Sequence, residues 1–449
     1  MSFLGDMLSS MAERGRAIID WSFVAQTATP VEQALALAER LLSVHGEASA
    51  LATASEILAR YARLDADERL TFFQALMERF GPELKPLLLA ARDFVAAPDQ
   101  DKAEALHQLS EPRRQKLFRL LNQSASGTPH LIKMRADLLR LIDTSPNLIA
   151  IDRDFQHLFR SWFNRGFLEL RRVDWSTPAA ILERIIRYEA VHEIADWDDL
   201  RRRIDPPDRR LYAFFHPRLR DEPLIFVEVA LTKTAPTSIR AILDPDREVI
   251  EAANANTAIF YSISDCQPGL RSISFGNFLI KQVVEELRAE LPHVNRFVTL
   301  SPVPRFASWL KEQAVAAPGS ALAAALSRPQ WWNDAAVAAA LEPELTALAA
   351  SFLTRARDGK GRPLDPVARF HLGNGARLER INWLANTGPA GVSASHTIMV
   401  NYLYKLDEIE RNHELYASGV DVPAASPVRR LATIGARLME DASATAGTS

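Results

Sequence analysis

Four short stretches hold residue types that could do chemistry. In RFVTLSPVP (296–304), Phe297, Val298 and Leu300 favour a strand. Pro302 and Pro304 cannot donate ladder hydrogen bonds, so the strand is predicted to end at Ser301. A hydroxyl is thereby fixed at a strand mouth, where ligands bind in mixed α/β sheets, ahead of a loop stiffened by two prolines. In QPGLRSISFGN (267–277), Gly276 precedes an expected helix whose unpaired N–H groups and positive dipole end suit a phosphate, with Arg271 and Lys281 to add charge. In DPVARFHLGNGARLERINWLAN (365–386), His371 follows a short apolar run and stands at the edge of the Gly373-Asn374-Gly375 turn, neither deep in a core nor on a solvated helix face. Tyr404, in MVNYLYKL (399–406), reads as a half-buried strand residue. Taken singly, each reads first as an ordinary turn, helix start or structural side chain. No HExxH pattern, second histidine within helical reach or Asp/Glu cluster accompanies His371, which disfavours a metal. No GxSxG elbow surrounds Ser301.

The elements that must position these residues fall into two regions. Roughly the first 165 residues read as helices. Segment 31–46 places Leu35, Ala38, Leu41 and Leu42 on one face and stops at Gly46; 51–64 repeats Leu51, Ile57, Leu58, Tyr61 and Leu64 with helical period. Segment 67–81 opens on Asp67 as a cap and closes at Gly81, and further helices are expected at 83–96, 99–109, 111–123 and 129–143. Short connections imply an antiparallel bundle, and no fixed-period repeat marks a solenoid. After about residue 165, strands are expected at 211–217, 222–232 and 257–264, and an amphipathic helix at 277–291 leads into the strand ending at Ser301. That order is a βαβ unit, hence an α/β or α+β domain. Residues 306–357 return to Ala-rich helix with Trp331 and Trp332 as packing anchors, and the last ten residues, EDASATAGTS, are expected to fray.

Composition limits the partners. A chain of 449 residues is too long for one core and implies two or three domains. It is 47% apolar and 24% charged, and 53 basic against 56 acidic residues give a net charge of −3, so no global basic field argues for nucleic acid. Cys266 is the only cysteine, which excludes an internal disulfide and any multi-cysteine metal site and suits a reducing compartment. The opening MSFLGDMLSSMAERGRAIIDW lacks the long apolar core of a signal peptide. No window reaches the roughly eighteen uninterrupted apolar residues of a membrane span, so a cytoplasmic protein without a membrane partner is expected.

Together the chemistry-bearing segments resemble the malonyl-CoA decarboxylase family. The resemblance runs over TAIFYSIS, GLRSISFGNFLIKQVVEELRAELPHV, FVTLSPVPRFASWL, and LDPVARFHLGNGARLERINWLAN through MVNYLY, covering most of residues 180–410 in the family's order. In the helical region the similarity lies in arrangement. The resemblance implies a multidomain α and α+β protein: a helical-bundle N-terminal domain over 1–165 used for oligomerisation, and a catalytic domain over 166–449 with a helical insertion near 306–357. The catalytic domain would have the acetyltransferase-like (GNAT) mixed-sheet fold, with coenzyme A across a splayed sheet and its pyrophosphate at a helix N-terminus. Position by position, Ser301 and His371 match the family's catalytic pair, as proton acceptor and donor, and Tyr404 matches a supporting tyrosine. Arg271, Ser272, Ile273, Ser274, Phe275, Gly276 and Asn277 match the coenzyme A-binding turn. In one departure, some members have a glutamate where this chain has Ser274, so that acid's role is not carried over.

The implied reaction is loss of CO2 from malonyl-CoA to give acetyl-CoA. It leaves enolate-like charge on the thioester oxygen and a C2 that needs a proton. The thioester carbonyl is itself the electron sink, so neither a metal nor an organic cofactor is expected, coenzyme A being part of the substrate. A donor aimed at the oxyanion contributes about 3 to 4 kcal/mol, whereas a strong ion pair to the departing carboxylate would stabilise the ground state. Ser301 is expected to orient the carboxylate and His371 to protonate C2 or support the enolate, in a dimer or tetramer. Two other readings stay open: an acyl-CoA-dependent N-acyltransferase and a non-catalytic acyl-CoA sensor. His192 is assigned no role.

Overall fold

A computed structural model describes residues 7, 10–11, 29–219, 221–273, 279–419 and 421–446. The chain divides into two compact units, the first of Met1–Glu169, His216–Asp221 and Gln267–Phe275, the second of Leu170–Phe215, Glu222–Cys266 and Gly276–Ser449.

The first unit is helical. Pro30–Ser43, Glu47–Arg63, Ala66–Arg79, Leu84–Ala96, Gln100–Ser110, Arg113–Gln123 and Gly127–Leu141 lie within a few residues of the predicted segments, and Ile149–Trp162 adds a helix beyond them. The third begins earlier than its sequence suggested. Asp65, not Asp67, is the cap, because its side chain accepts from Glu68 N–H while the Glu68 carboxylate accepts from Asp65 N–H, a reciprocal capping box. Phe72, Phe73, Phe118, Phe155 and Phe159 are fully buried, with Phe118 stacked on Phe155 at 4.3 Å. The charges that enter this core come in pairs, Arg135 with Asp152 at 2.7 Å and Arg114 with Asp154.

The second unit is built on a mixed sheet. Its strands are β1 (Glu169–Val173), β2 (Arg209–Phe215), β3 (Ile225–Thr232), β4 (Thr257–Asp265), β5 (Arg296–Thr299), β6 (Ser301–Pro302), β7 (Arg377–Asn382) and β8 (Met399–Tyr404). They lie in the order β1-β2-β3-β4-β5-β8-β6, with β7 on β8. Helices Ala179–Tyr188 and Trp197–Ile204 pack Ile181, Leu182, Ile185, Leu200 and Ile204 against Leu211, Ala213, Phe215 and Phe226 of the sheet. The predicted βαβ unit is present: helix Leu279–Glu290 connects β4 to a parallel β5. The two strands pair only from Thr257–Phe260 to Arg296–Thr299; β4 then continues to Asp265, while the chain after β5 pairs with β8. Pairing between β4 and β5 therefore stops before β4 ends, and β8 is the partner that the chain keeps from β5 into β6.

Three local expectations are corrected. The strand before the prolines does not run to Ser301: β5 ends at Thr299, Leu300 donates its N–H to Phe260 C=O, and Ser301–Pro302 pair anew with Val400 and Met399. The local stop signal is overridden by β8, a partner from a hundred residues downstream, and Pro302 is tolerated because β6 lies at the end of the sheet order. His371 is not at a turn edge but in the last turn of helix Pro366–Gly373, where it is 3% exposed. The tail expected to fray is helical as far as Ala446, within Ser426–Ala446. That helix lies against Ala335–Arg355 through Gly435, where a Cβ would sit 2.1 Å from the Ala347 carbonyl oxygen. Helix Ala335–Arg355 is long and apolar enough to cross a membrane, with mean hydropathy 1.4, but 61% of that window is buried in the fold. Of the two expected anchors, Trp331 is buried and stacks on Trp383 at 5.6 Å, and Trp332 is half-buried.

Candidate active site

Three elements of the second unit bring the site together. The end of β5 and the start of β6 carry Thr299 and Ser301, two residues apart and so on one face of the chain. On β8, Tyr404 pairs with Phe297, and Tyr402, two residues earlier, shares its face. The third element is helix Pro366–Gly373. Asp365 caps it by accepting from Ala368 N–H at 2.9 Å, and Pro366 occupies its first position. The Asp365 carboxylate also accepts from Arg305 N–H at 3.5 Å, which ties the loop after Pro304 to the helix bearing His371. The helix stops because Gly375 takes φ +79° and passes so close to Ile409 that a Cβ would lie 2.3 Å from its carbonyl oxygen. His371, on the last turn, stacks its ring on Tyr402 with centroids 4.6 Å apart at 25°.

These side chains form a continuous row of hydrogen bonds. Ser301 Oγ lies 3.0 Å from His371 Nε2, and His371 Nδ1 lies 2.8 Å from the Tyr404 hydroxyl. Ser301 Oγ donates to Thr299 Oγ1 at 2.8 Å, and that oxygen also accepts Tyr402 N–H at 3.0 Å. Tyr404 is 1% exposed, and Nδ1 is the acceptor within reach, so the phenol donates to Nδ1 and the ring proton sits on Nε2. The donors therefore run Tyr404 to His371 to Ser301 to Thr299. Burial pushes the His371 imidazole down from 6.5 to about 3 and the Tyr404 phenol well above 10.0, so every member of the row is neutral. Ser301 donates its hydrogen bond to Thr299, not to the imidazole, which is the wrong arrangement for an activated serine nucleophile.

Ser301 and His371 open into a cavity of about 240 Å³ walled by Phe260, Ile263, Pro302, Val367 and Phe370. This is below the roughly 300–1,000 Å³ of sites that enclose a whole small molecule, and suits a short acyl thioester end. Among the described lining residues there is no Lys or Arg; the one charged side chain is Asp265.

The sequence-derived residues are thus brought together in part. Ser301, His371 and Tyr404 are adjacent, with Tyr404 reaching the cavity through His371 and not lining it. Arg271, Ser272 and Ile273 belong to the first unit, where Arg135 donates to the Gly269 and Arg271 carbonyls at 2.7 and 2.9 Å. Gly269 is obligatory there, since a Cβ would meet the Ile132 carbonyl oxygen at 1.9 Å, and Ser272 takes φ +66°. Ser274, Phe275, Gly276 and Asn277 lie outside the described residues. Lys281 pairs with Glu410 at 3.5 Å. His192 is half-buried, with desolvation holding its imidazole down to about 4, and does not line the cavity. Thr299, Tyr402, Asp265 and Asp365 were missed. Strand alternation from Ser301 and Tyr404 points to the first two, and the Asp-Pro pair at a helix start signals the last. No group of three or more His, Cys, Asp or Glu able to hold a metal occurs among the described residues.

Residues 166–445 match the family model described as malonyl-CoA decarboxylase C-terminal domain, and residues 80–163 the corresponding N-terminal domain model. The chain is similar to mitochondrial malonyl-CoA decarboxylase of Anser anser anser, 33% identical over 83% of this chain and 82% of that protein. It is also similar to that of Rattus norvegicus, 35% identical over 71% of each. Among solved structures, malonyl-CoA decarboxylase from Rhodopseudomonas palustris superposes with a TM-score of 0.86 at 54% identity, covering 90% of this chain and 100% of that one. The Agrobacterium vitis structure gives 0.84 at 52% identity, covering 89% and 99%.

Proposed function

Since the chain belongs to the malonyl-CoA decarboxylase family of carboxy-lyases, we propose that its cavity converts malonyl-CoA to acetyl-CoA and CO2, with Ser301 and His371 handling the carboxylate and the proton. The observation that carries this reading is a buried, uncharged row of donors ending in a cavity whose described lining has no cation. A lysine or arginine there would hold the carboxylate by a charge that vanishes as the C–C bond breaks, stabilising the substrate more than the transition state. Ser301, free to turn its hydroxyl from Thr299 towards the substrate, orients the carboxylate by a neutral hydrogen bond. As CO2 leaves, the bonding electrons pass into the thioester carbonyl. His371 then gives its Nε2 proton to C2, and the Tyr404 hydroxyl on Nδ1 offsets the charge that this leaves on the ring. An enolate carbon is a far stronger base than imidazolate, so a neutral imidazole is acid enough. We assign the coenzyme A portion to the family's motif over residues 271–277, and the reaction as written calls for no further cofactor.

The test is incubation with malonyl-CoA and no amine, followed by measurement of CO2 and acetyl-CoA. Stoichiometric release of both is expected, and His371→Asn is expected to lower turnover about 10²- to 10³-fold while still binding acetyl-CoA. Tight binding without turnover would point to a sensor, dependence on an added amine to acyl transfer, and near wild-type CO2 release from His371→Asn would remove the assigned mechanism.

A further inference from the structure

Asp265 is the one acidic side chain among the described residues that line the cavity, and the mechanism above gives it no task. It ends β4 and, two residues from Ile263 on the same strand face, lines the cavity that holds Ser301 and His371. Its carboxyl has no hydrogen-bond or ion-pair partner among the described residues. Asp265 is exposed at the end of its strand, and the protein that does surround its carboxyl raises its pKa above 3.8. The titratable groups around it supply no cation. His371, and Asp365 at its helix cap, lie on one side; Glu189 and His192 precede helix Trp197–Ile204, Glu222 precedes β3, and Cys266 is adjacent. Both histidines are neutral through burial, at about 3 and about 4. Arg184 is paired with Glu222, and Arg203 with Asp199 and Glu228.

A substrate that brings its own carboxylate into this cavity sets it beside the Asp265 carboxyl with no cation among the described lining residues to separate the two charges. Two such carboxyls do not both stay ionised; they hold one proton between them. We propose that Asp265 recognises the malonyl carboxylate by sharing a proton with it, and is thereby the residue that selects an acyl group bearing a free carboxylate. This rests on the decarboxylase reading and identifies how its substrate is chosen. One proton is taken from solvent on binding. When the C2–carboxyl bond breaks and CO2 departs uncharged, that proton remains on Asp265 and replaces the one His371 has given to C2. The sum is malonyl-CoA plus one proton giving acetyl-CoA plus CO2, so the proton consumed by the reaction arrives with the substrate.

The experiment compares Asp265→Leu and Asp265→Asn with the full-length wild type, measuring CO2 release against pH and, on the same preparations, acetyl-CoA affinity by calorimetry. For Asp265→Leu, kcat/KM for malonyl-CoA is expected to fall about tenfold or more, chiefly through KM. Acetyl-CoA, which has no carboxylate, is expected to bind as to wild type. Asp265→Asn donates without taking up a proton, so it is expected to recover KM and to lose the decline of kcat/KM with rising pH that the wild type shows above the carboxyl's pKa. Parallel loss of malonyl-CoA and acetyl-CoA affinity would overturn the proposal in favour of a structural role, as would wild-type kcat/KM and pH profile in both variants. If the wild type releases no CO2, decarboxylation itself fails and this proposal with it; CO2 release with indifferent variants removes this proposal alone.

Discussion

In the helical unit, one deeply buried polar cluster is charged and paired: Arg135 and Asp152 meet at 2.7 Å with side-chain exposures of 1% and 4%, and Arg135 also holds two carbonyls of the Gly269–Arg271 turn. In the sheet unit, Tyr404, His371, Ser301 and Thr299 are as deeply buried and as well connected, at 2.8 to 3.0 Å, but carry no formal charge. The two arrangements answer the same desolvation problem with different consequences. A buried ion pair is fixed, because moving its proton would leave an unpaired charge in a low-dielectric interior. A neutral row keeps every group satisfied while its protons remain free to shift along it. The first suits a scaffold and the second suits proton handling.

Removing one member of each assembly should separate these roles. The largest effect is expected from Arg135→Met, which strands the Asp152 carboxylate and should cost about 3 to 5 kcal/mol of stability, read as a lowered thermal midpoint. Adding Asp152→Leu should recover most of that loss, since an apolar pair of similar volume is tolerated where a lone charge is not. His371→Asn should reverse the pattern, leaving the midpoint near wild type while the turnover barrier rises by about 3 to 4 kcal/mol, measured as CO2 release. Tyr404→Phe removes the donor that fixes the ring proton on Nε2 and should lower kcat about tenfold, the magnitude of one buried hydrogen bond. The smallest change is expected two residues away. Tyr402 keeps a buried hydroxyl with no partner among the described residues, so Tyr402→Phe retains the ring stacked on His371 and should leave kcat unchanged and stability unchanged or slightly raised. If Tyr402→Phe and Tyr404→Phe behave alike, the row is not what sets activity.

How far the sequence revealed this architecture depends on how local each signal was. The helices of the first unit and the βαβ unit were legible because periodicity, caps and turn residues all lie within the segments themselves. The helix bearing His371 was not: eight residues ending in Gly373-Asn374-Gly375 are too few for a period, and the turn signature dominates. The interruption at Leu300 was hidden for another reason, since it is imposed by β8 and not by the neighbouring prolines. Ser301, His371 and Tyr404 could be named from the family's motif, but their order as a donor row depends on which atom each presents. Asp265 had no signal at all in the sequence; only the shared cavity connects it to them.

The central claim is that His371 stays neutral, with its proton on Nε2 facing Ser301. Because the folded ring titrates at about 3 and an ordinary imidazole at 6.5, the unfolded chain binds the extra proton between these values, and the native state loses stability as pH falls from 6.5 towards 3. The direct measurement is the ¹⁵N spectrum of histidine-labelled enzyme through that interval, with the His371 signals assigned by their loss in His371→Asn. The structure predicts a neutral ring protonated at Nε2 as pH is lowered past 6.5. A ring that becomes doubly protonated with a midpoint near 6.5, or that carries its proton on Nδ1, would contradict it.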